Sequence, residues 1–99
     1  MIIQYTLSMP NKGSWDGKWT GESDLYARCR PHSKTWVDKF MQGKKELNWL
    51  YRWTDGWTAC VTAKIIEAKE ATKVRKYSKG FCGYDWMIDS IEKEGKIVG

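Results

Sequence analysis

Two groups of residues in this sequence are of types that recognise ligands. The first is the alternating run Trp49, Tyr51 and Trp53, with Lys64 nearby if residues 46–54 and 57–66 are neighbouring strands. Rings at every second position of a strand share one sheet face, which either stacks on bases while a basic neighbour neutralises phosphate or is the main core with the helices packed on it. The second is the loop Gly13-Ser14-Trp15-Asp16-Gly17-Lys18-Trp19-Thr20-Gly21, with two indoles among three glycines. Bare loop tryptophans are costly in water, so Trp15 and Trp19 either fold back as a lid on the core or stand as a ligand wall. The sequence leaves both open. Arg28 and Arg30, with Lys18 and Lys64, complete a candidate set that would stack a base and bind its phosphate.

Other chemistries lack their residues. His32 is the single histidine, so neither a two-histidine metal site nor an H-E-x-x-H helix is encoded. Its place between Pro31 and Ser33 predicts an exposed bend. Only three residues separate Gly13 from Gly17, and Trp19 follows Lys18 where a phosphate loop needs a hydroxyl. There is no G-x-S-x-G elbow. Asp16, Glu22, Asp24 and Asp55 fall on or beside predicted loops, where turn chemistry is their ordinary role. A small hydrolase built on such carboxylates is the remaining enzymatic alternative, because carboxylate separation is a three-dimensional property. Cys29, Cys60 and Cys82 are widely spaced and odd in number, which predicts reduced thiols, no metal and a cytoplasmic setting. No cofactor is implied, and no apolar run is long enough to span a membrane.

The chain that must position these residues has 99 residues, enough for one compact domain over 1–99. Seven Trp, five Tyr and two Phe exceed what its core needs, which leaves rings for a partner. The net charge is +5, concentrated in two segments. Residues 28–52 hold seven basic and two acidic side chains, and residues 64–79 hold six and two. Such fields favour anionic partners.

Residues 2–9 alternate, with Ile3, Tyr5, Leu7 and Met9 on one side, as in a half-buried strand. Residues 24–30 alternate again, Leu25, Ala27 and Cys29 against Tyr26, Arg28 and Arg30. Residues 33–42 suit a short helix capped by Ser33, with Trp36, Val37, Phe40 and Met41 as its stripe and Gly43 as its end. Asp55-Gly56 predicts a two-residue type I′ hairpin turn. That turn pairs Thr54 with Trp57, Arg52 with Ala59 and Leu50 with Val61. One face then carries Leu50, Ala59, Val61 and Ala63, and the other sets Leu47, Trp49, Tyr51 and Trp53 beside Thr58, Cys60, Thr62 and Lys64. Residues 67–79 favour a helix with a lysine-rich outer face. A last helix runs from about Asp85 to Glu94, buries Tyr84, Met87, Ile88 and Ile91, and is capped by Gly95. The fold class is α+β: an antiparallel sheet of about four strands, a short helix near 33–42 and two C-terminal helices, with helices on one face.

The run Ser78-Lys79-Gly80-Phe81-Cys82-Gly83-Tyr84-Asp85-Trp86-Met87-Ile88-Asp89-Ser90-Ile91 resembles a segment of small bacterial and prophage accessory proteins. Ser8-Met9-Pro10-Asn11, Ser14-Trp15-Asp16-Gly17-Lys18-Trp19 and Asp55-Gly56-Trp57 carry the same resemblance, which touches about a third of the chain. It implies a context in which small proteins bind and block a host component, some by sequestering nucleotide signals of bacterial immunity. It transfers no site residues. The expectation is a non-enzymatic binding protein for an anionic, base-containing ligand, a nucleotide-type molecule or single-stranded nucleic acid. The alternative is an inhibitor that binds a host protein through Trp and Arg anchors. Homo-oligomers are compatible with either.

Overall fold

The computed structural model describes residues 1–8, 26–54, 56, 58–70 and 85–99. Its elements are β1 (Ile2–Ser8), β2 (Tyr26–Pro31), α1 (Lys34–Met41), β3 (Glu46–Arg52), β4 (Thr58–Ile66) and α2 (Asp85–Glu94). The strands form one antiparallel sheet in the order β2-β1-β4-β3. This is the α+β architecture expected from strands followed by a C-terminal helix. Of the predicted helix at 67–79, Glu67 is not helical, residues 68–70 are, and residues 71–79 lie outside the described residues.

Local signals account for most element ends. Ser33 takes an extended backbone at the start of α1, and its hydroxyl accepts from the Trp36 N–H at 3.2 Å, satisfying one of the helix's orphan donors. α1 closes one residue earlier than the glycine signal indicates. Gln42 is the left-handed cap at φ 54°, and Gly43 follows at φ 76°. Gly95, at φ 73°, ends α2 by donating its N–H to the Ile91 carbonyl at 2.8 Å.

One core lies on one face of the sheet. Ile3, Tyr5 and Leu7 of β1 meet Ala59, Val61 and Ala63 of β4, covered by Val37 and Met41 of α1 and Met87, Ile88 and Ile91 of α2. The small β4 residues leave room for both helices to approach.

The hairpin differs from its sequence reading by one residue. β3 and β4 pair Arg52 with Thr58, Tyr51 with Ala59, Trp49 with Val61 and Leu47 with Ala63. The turn is closed by the Gly56 N–H donating to the Trp53 carbonyl at 3.1 Å, and Gly56 has a positive φ of 96°. Residues 53–57 therefore form an odd-numbered connection, where a two-residue turn requires an even one. A slip of one residue moves every side chain to the opposite face. Leu47, Trp49, Tyr51 and Trp53 thus pack, half-buried, against the core, while Leu50 points away and is 55 % exposed. Half-burying an aromatic ring removes about 100 Å² from water and stabilises by roughly 2–3 kcal/mol. Three rings of this row outweigh one buried leucine, so the core-facing register wins.

β2 keeps the expected alternation, with Ala27 buried and Arg28 exposed. Arg28 lies opposite Tyr5 and Arg30 opposite Ile3, on the helix-covered face, whereas Ala27 and Cys29 lie opposite Thr6 and Gln4 on the other. Cys29 and Cys60 form no disulfide with each other. They align with Gln4 and Ser8 of β1 on opposite flanks of that strand, too far apart for a disulfide. Cys82 lies outside the described residues.

Candidate functional site

The arginines of β2 reach toward acids that α2 presents to them, Arg30 partly buried and Arg28 exposed. Asp85, Asp89 and Glu92 recur at i, i+4 and i+7, one stripe of the helix. Arg30 Nη1 donates to Asp89 Oδ1 at 2.7 Å and to Glu92 Oε2 at 3.2 Å, and Arg28 Nη2 lies 3.7 Å from Asp85 Oδ2. Tyr5 Oη donates to Glu92 Oε1 at 2.7 Å, and His32 Nε2 sits 2.8 Å from that same oxygen. Glu92 thus gathers donors from β1, β2 and the β2–α1 connection, with its side chain only 15 % exposed. His32, expected on an exposed bend, is half-buried in this cluster. Its ring stacks on Trp36 at 3.7 Å between centroids, which holds it against the carboxylate.

The electrostatics follow from these contacts. Burial alone would lower the Arg30 pKa, but the hydrogen bond to Asp89 and the charges of Glu92 and Asp89 outweigh it, so the guanidinium is held above its ordinary value. Asp85 is raised by burial and by the charge of Asp89. The Arg28 contact is too long to reverse that. Burial, followed by the hydrogen bond and negative charge of Glu92, pushes the Tyr5 phenol well above its ordinary value, and Arg30 only partly opposes this.

For Tyr5 the sign gives a stability prediction at alkaline pH. The unfolded phenol ionises near pH 10 while the folded one keeps its proton, so above that pH the unfolded state binds fewer protons and stability falls. The Tyr5 contribution is full below pH 10 and declines at about 1.4 kcal/mol per pH unit above it. Tyr5→Phe is expected to cost about 1.5 kcal/mol at pH 7 and to show a shallower alkaline loss than the parent in urea titrations from pH 8 to 11. Parallel alkaline limbs would mean that Tyr5 is not the protonated, buried donor described here.

The aromatic series continues from Trp36 to Phe40 (4.6 Å, stacked) and from Phe40 to Trp49 (6.0 Å, tilted). Trp49 is fixed from the other side, its Nε1–H donating to the Gly95 carbonyl at 2.9 Å. Tyr51 meets both Trp53 and Trp86 edge-to-face. Between the end of α1, the start of β3 and the end of α2 the surface dips into a cleft of about 270 Å³. Phe40, Leu47, Trp49 and Ile91 form its apolar wall, and Lys39, Gln42 and Glu92 bring polar groups to it; Asn48 lines it from the backbone, its side-chain oxygen accepting from Thr62 Oγ1 at 2.8 Å on the other sheet face. A second depression of about 420 Å³, on the Val37–Met41 side of α1, carries Lys44 and Lys45 but no ring to stack on.

The nine sequence-selected ligand residues do not converge on one place. Trp15, Lys18 and Trp19 lie outside the described residues. Arg28 and Arg30 face α2, their charge already engaged by its acids. Trp49, Tyr51 and Trp53 sit on the core face, and Lys64 is exposed on the opposite face, across from Glu46 and Gln4. Lys64 therefore cannot act beside the aromatic row. The sequence reading missed Lys39, Gln42, Asn48 and Glu92. The one available signal was the acidic stripe 85/89/92, whose spacing matches a basic pair at period two. Among the described residues no His, Cys, Asp and Glu are grouped to hold a metal, and no helix is long and apolar enough to cross a membrane. No family model, curated protein or solved structure matches this chain.

Proposed function

We infer that this protein is a non-catalytic binding protein for an anionic, base-containing ligand of nucleotide type, held in the cleft between α1, β3 and α2. The observation that carries this reading is the meeting of Trp49 and Phe40 with the Lys39 ammonium and the Gln42 amide around a space of about 270 Å³. Ligand pockets usually span about 300–1,000 Å³, so this one suits a single base with its sugar better than a longer strand. A ring on Trp49 or Phe40 would gain stacking energy, the Gln42 amide would read its polar edge, and Lys39 would neutralise phosphate at the rim. The absence of catalysis is part of the proposal. The oxygens of Glu92 already accept from Tyr5 and Arg30 and contact His32, which leaves a poor proton acceptor for substrate. In the context implied by the resemblance to phage accessory proteins, such binding would sequester a nucleotide signal of the host.

The test is a titration of the chain with the four ribonucleoside 5′-monophosphates, a cyclic dinucleotide and a short oligothymidylate, read by tryptophan fluorescence and thermal midpoint. At least one probe is expected to quench fluorescence and raise the midpoint. Lys39→Gln should weaken that probe by about 3–10-fold at low salt and less at high salt, because screening already suppresses the attraction there. A probe that binds Lys39→Gln as tightly as the parent would place the site elsewhere. A flat response to every probe, with a host protein retained on purification, would favour the protein-inhibitor reading.

A further inference from the structure

β3 ends the sheet, so the backbone groups along its free side have no strand beside them among the described residues. Natural edge strands are commonly guarded by proline, a bulge or inward-pointing charge. β3 has none of these within Glu46–Arg52 and runs seven residues, ELNWLYR, in regular alternation. Its core-facing side chains are half-buried and its outward ones, Glu46, Asn48, Leu50 and Arg52, are exposed. Glu46 lies across from Lys64 in the β4 register without forming an ion pair, and no ion pair joins Arg52 to a described residue.

This strand is complementary to itself. An antiparallel pairing of two copies about a two-fold axis through Trp49 sets Glu46 of each opposite Arg52 of the other. The same operation places Leu47 opposite Tyr51 on the core face and Asn48 opposite Leu50 on the outer face. The two Leu50 side chains become diagonal neighbours, which shelters a leucine that is otherwise 55 % exposed. Moving the axis by one residue in either direction shortens the ladder and separates the charges. Only the axis at Trp49 uses the full strand and makes both opposite-charge contacts.

We propose that a second copy of this chain docks along β3, joining two four-stranded sheets into one continuous eight-stranded sheet through the self-complementary Glu46–Arg52 edge. The pairing follows from strand order, length and charge placement, and it does not depend on what the cleft binds. The occupant is another copy rather than an unrelated segment because the charges match under the two-fold operation itself, as an isologous interface requires.

Sedimentation velocity on the full chain over a concentration series tests this. The mass should rise from 11.6 kDa towards twice that value with concentration. Glu46→Arg alone and Arg52→Glu alone each turn both attractive contacts into repulsive ones and should weaken dimerisation by about tenfold or more. An equimolar mixture of these two variants restores opposite charges at both contacts, so it should form a heterodimer at concentrations where neither variant dimerises alone. That recovery also shows that both variants remain folded. A parent that stays at 11.6 kDa throughout, single variants that dimerise as tightly as the parent, or a mixture that gains nothing would each overturn the proposal.

Discussion

Glu92→Ala is expected to lower the unfolding free energy by about 3 kcal/mol, the order seen when one partner is removed from a largely buried charged network. The cost comes less from lost attraction than from what is left behind. Arg30, 24 % exposed, would keep only the contact to Asp89, a residue two-thirds exposed to water. The phenol of fully buried Tyr5 would lose its acceptor, and His32 would lose the group that holds its Nε2. An unsatisfied buried donor costs about 1–3 kcal/mol by itself. Glu92→Gln keeps an oxygen for Tyr5 and should fall between the parent and the alanine variant. Asp89→Ala removes only an exposed partner and should cost under about 1 kcal/mol. Guanidinium denaturation of the three variants at pH 7 measures the series. Equal losses for Glu92→Ala and Asp89→Ala would remove Glu92 from the centre of the network.

Trp49→Ala is the second large effect, about 3 kcal/mol, and its value lies in the contrast with its neighbour. Trp49 packs on the core beside Phe40 and donates to the Gly95 carbonyl, so alanine loses both a ring and a tie to the end of α2. Leu50, one residue later, faces away from the core, and Leu50→Thr should change stability by no more than about 0.5 kcal/mol. A two-residue hairpin turn would predict the opposite order, with Leu50 in the core and Trp49 outside. Denaturant midpoints, compared at a chain concentration below which they no longer change, decide between the registers.

That contrast marks where the sequence was legible and where it was not. The Ile3/Tyr5/Leu7 alternation, the Ser33 cap and the Gly95 cap are local, and each appears in the structure for the reason its pattern suggests. The turn signal Asp55-Gly56 is also local, but it marks a turn without fixing its length. The register depended on whether Trp49 and Tyr51 or Leu50 joined Val61 and Ala59, a question of total burial that turn chemistry does not address. In β2, Arg30 was drawn onto the helix-covered face by acids more than fifty residues later in the chain, although Ala27 is buried and Arg28 stays exposed as their types suggest. His32 gave no signal because its partner is Glu92, sixty positions away. The cleft was illegible for the same reason: Lys39, Asn48 and Glu92 come together only once three separate elements have packed.

The most direct measurement of the ligand site is a ¹H–¹⁵N correlation spectrum recorded while the same nucleotides are titrated into the labelled chain. Binding in the cleft predicts shifts at the Trp49 indole N–H and at the amides of Phe40, Asn48 and Gly95, with Thr6 and Lys64 on the opposite sheet face unmoved. Shifts centred on Thr6, Thr62 and Lys64, or a spectrum that no nucleotide perturbs, would contradict it.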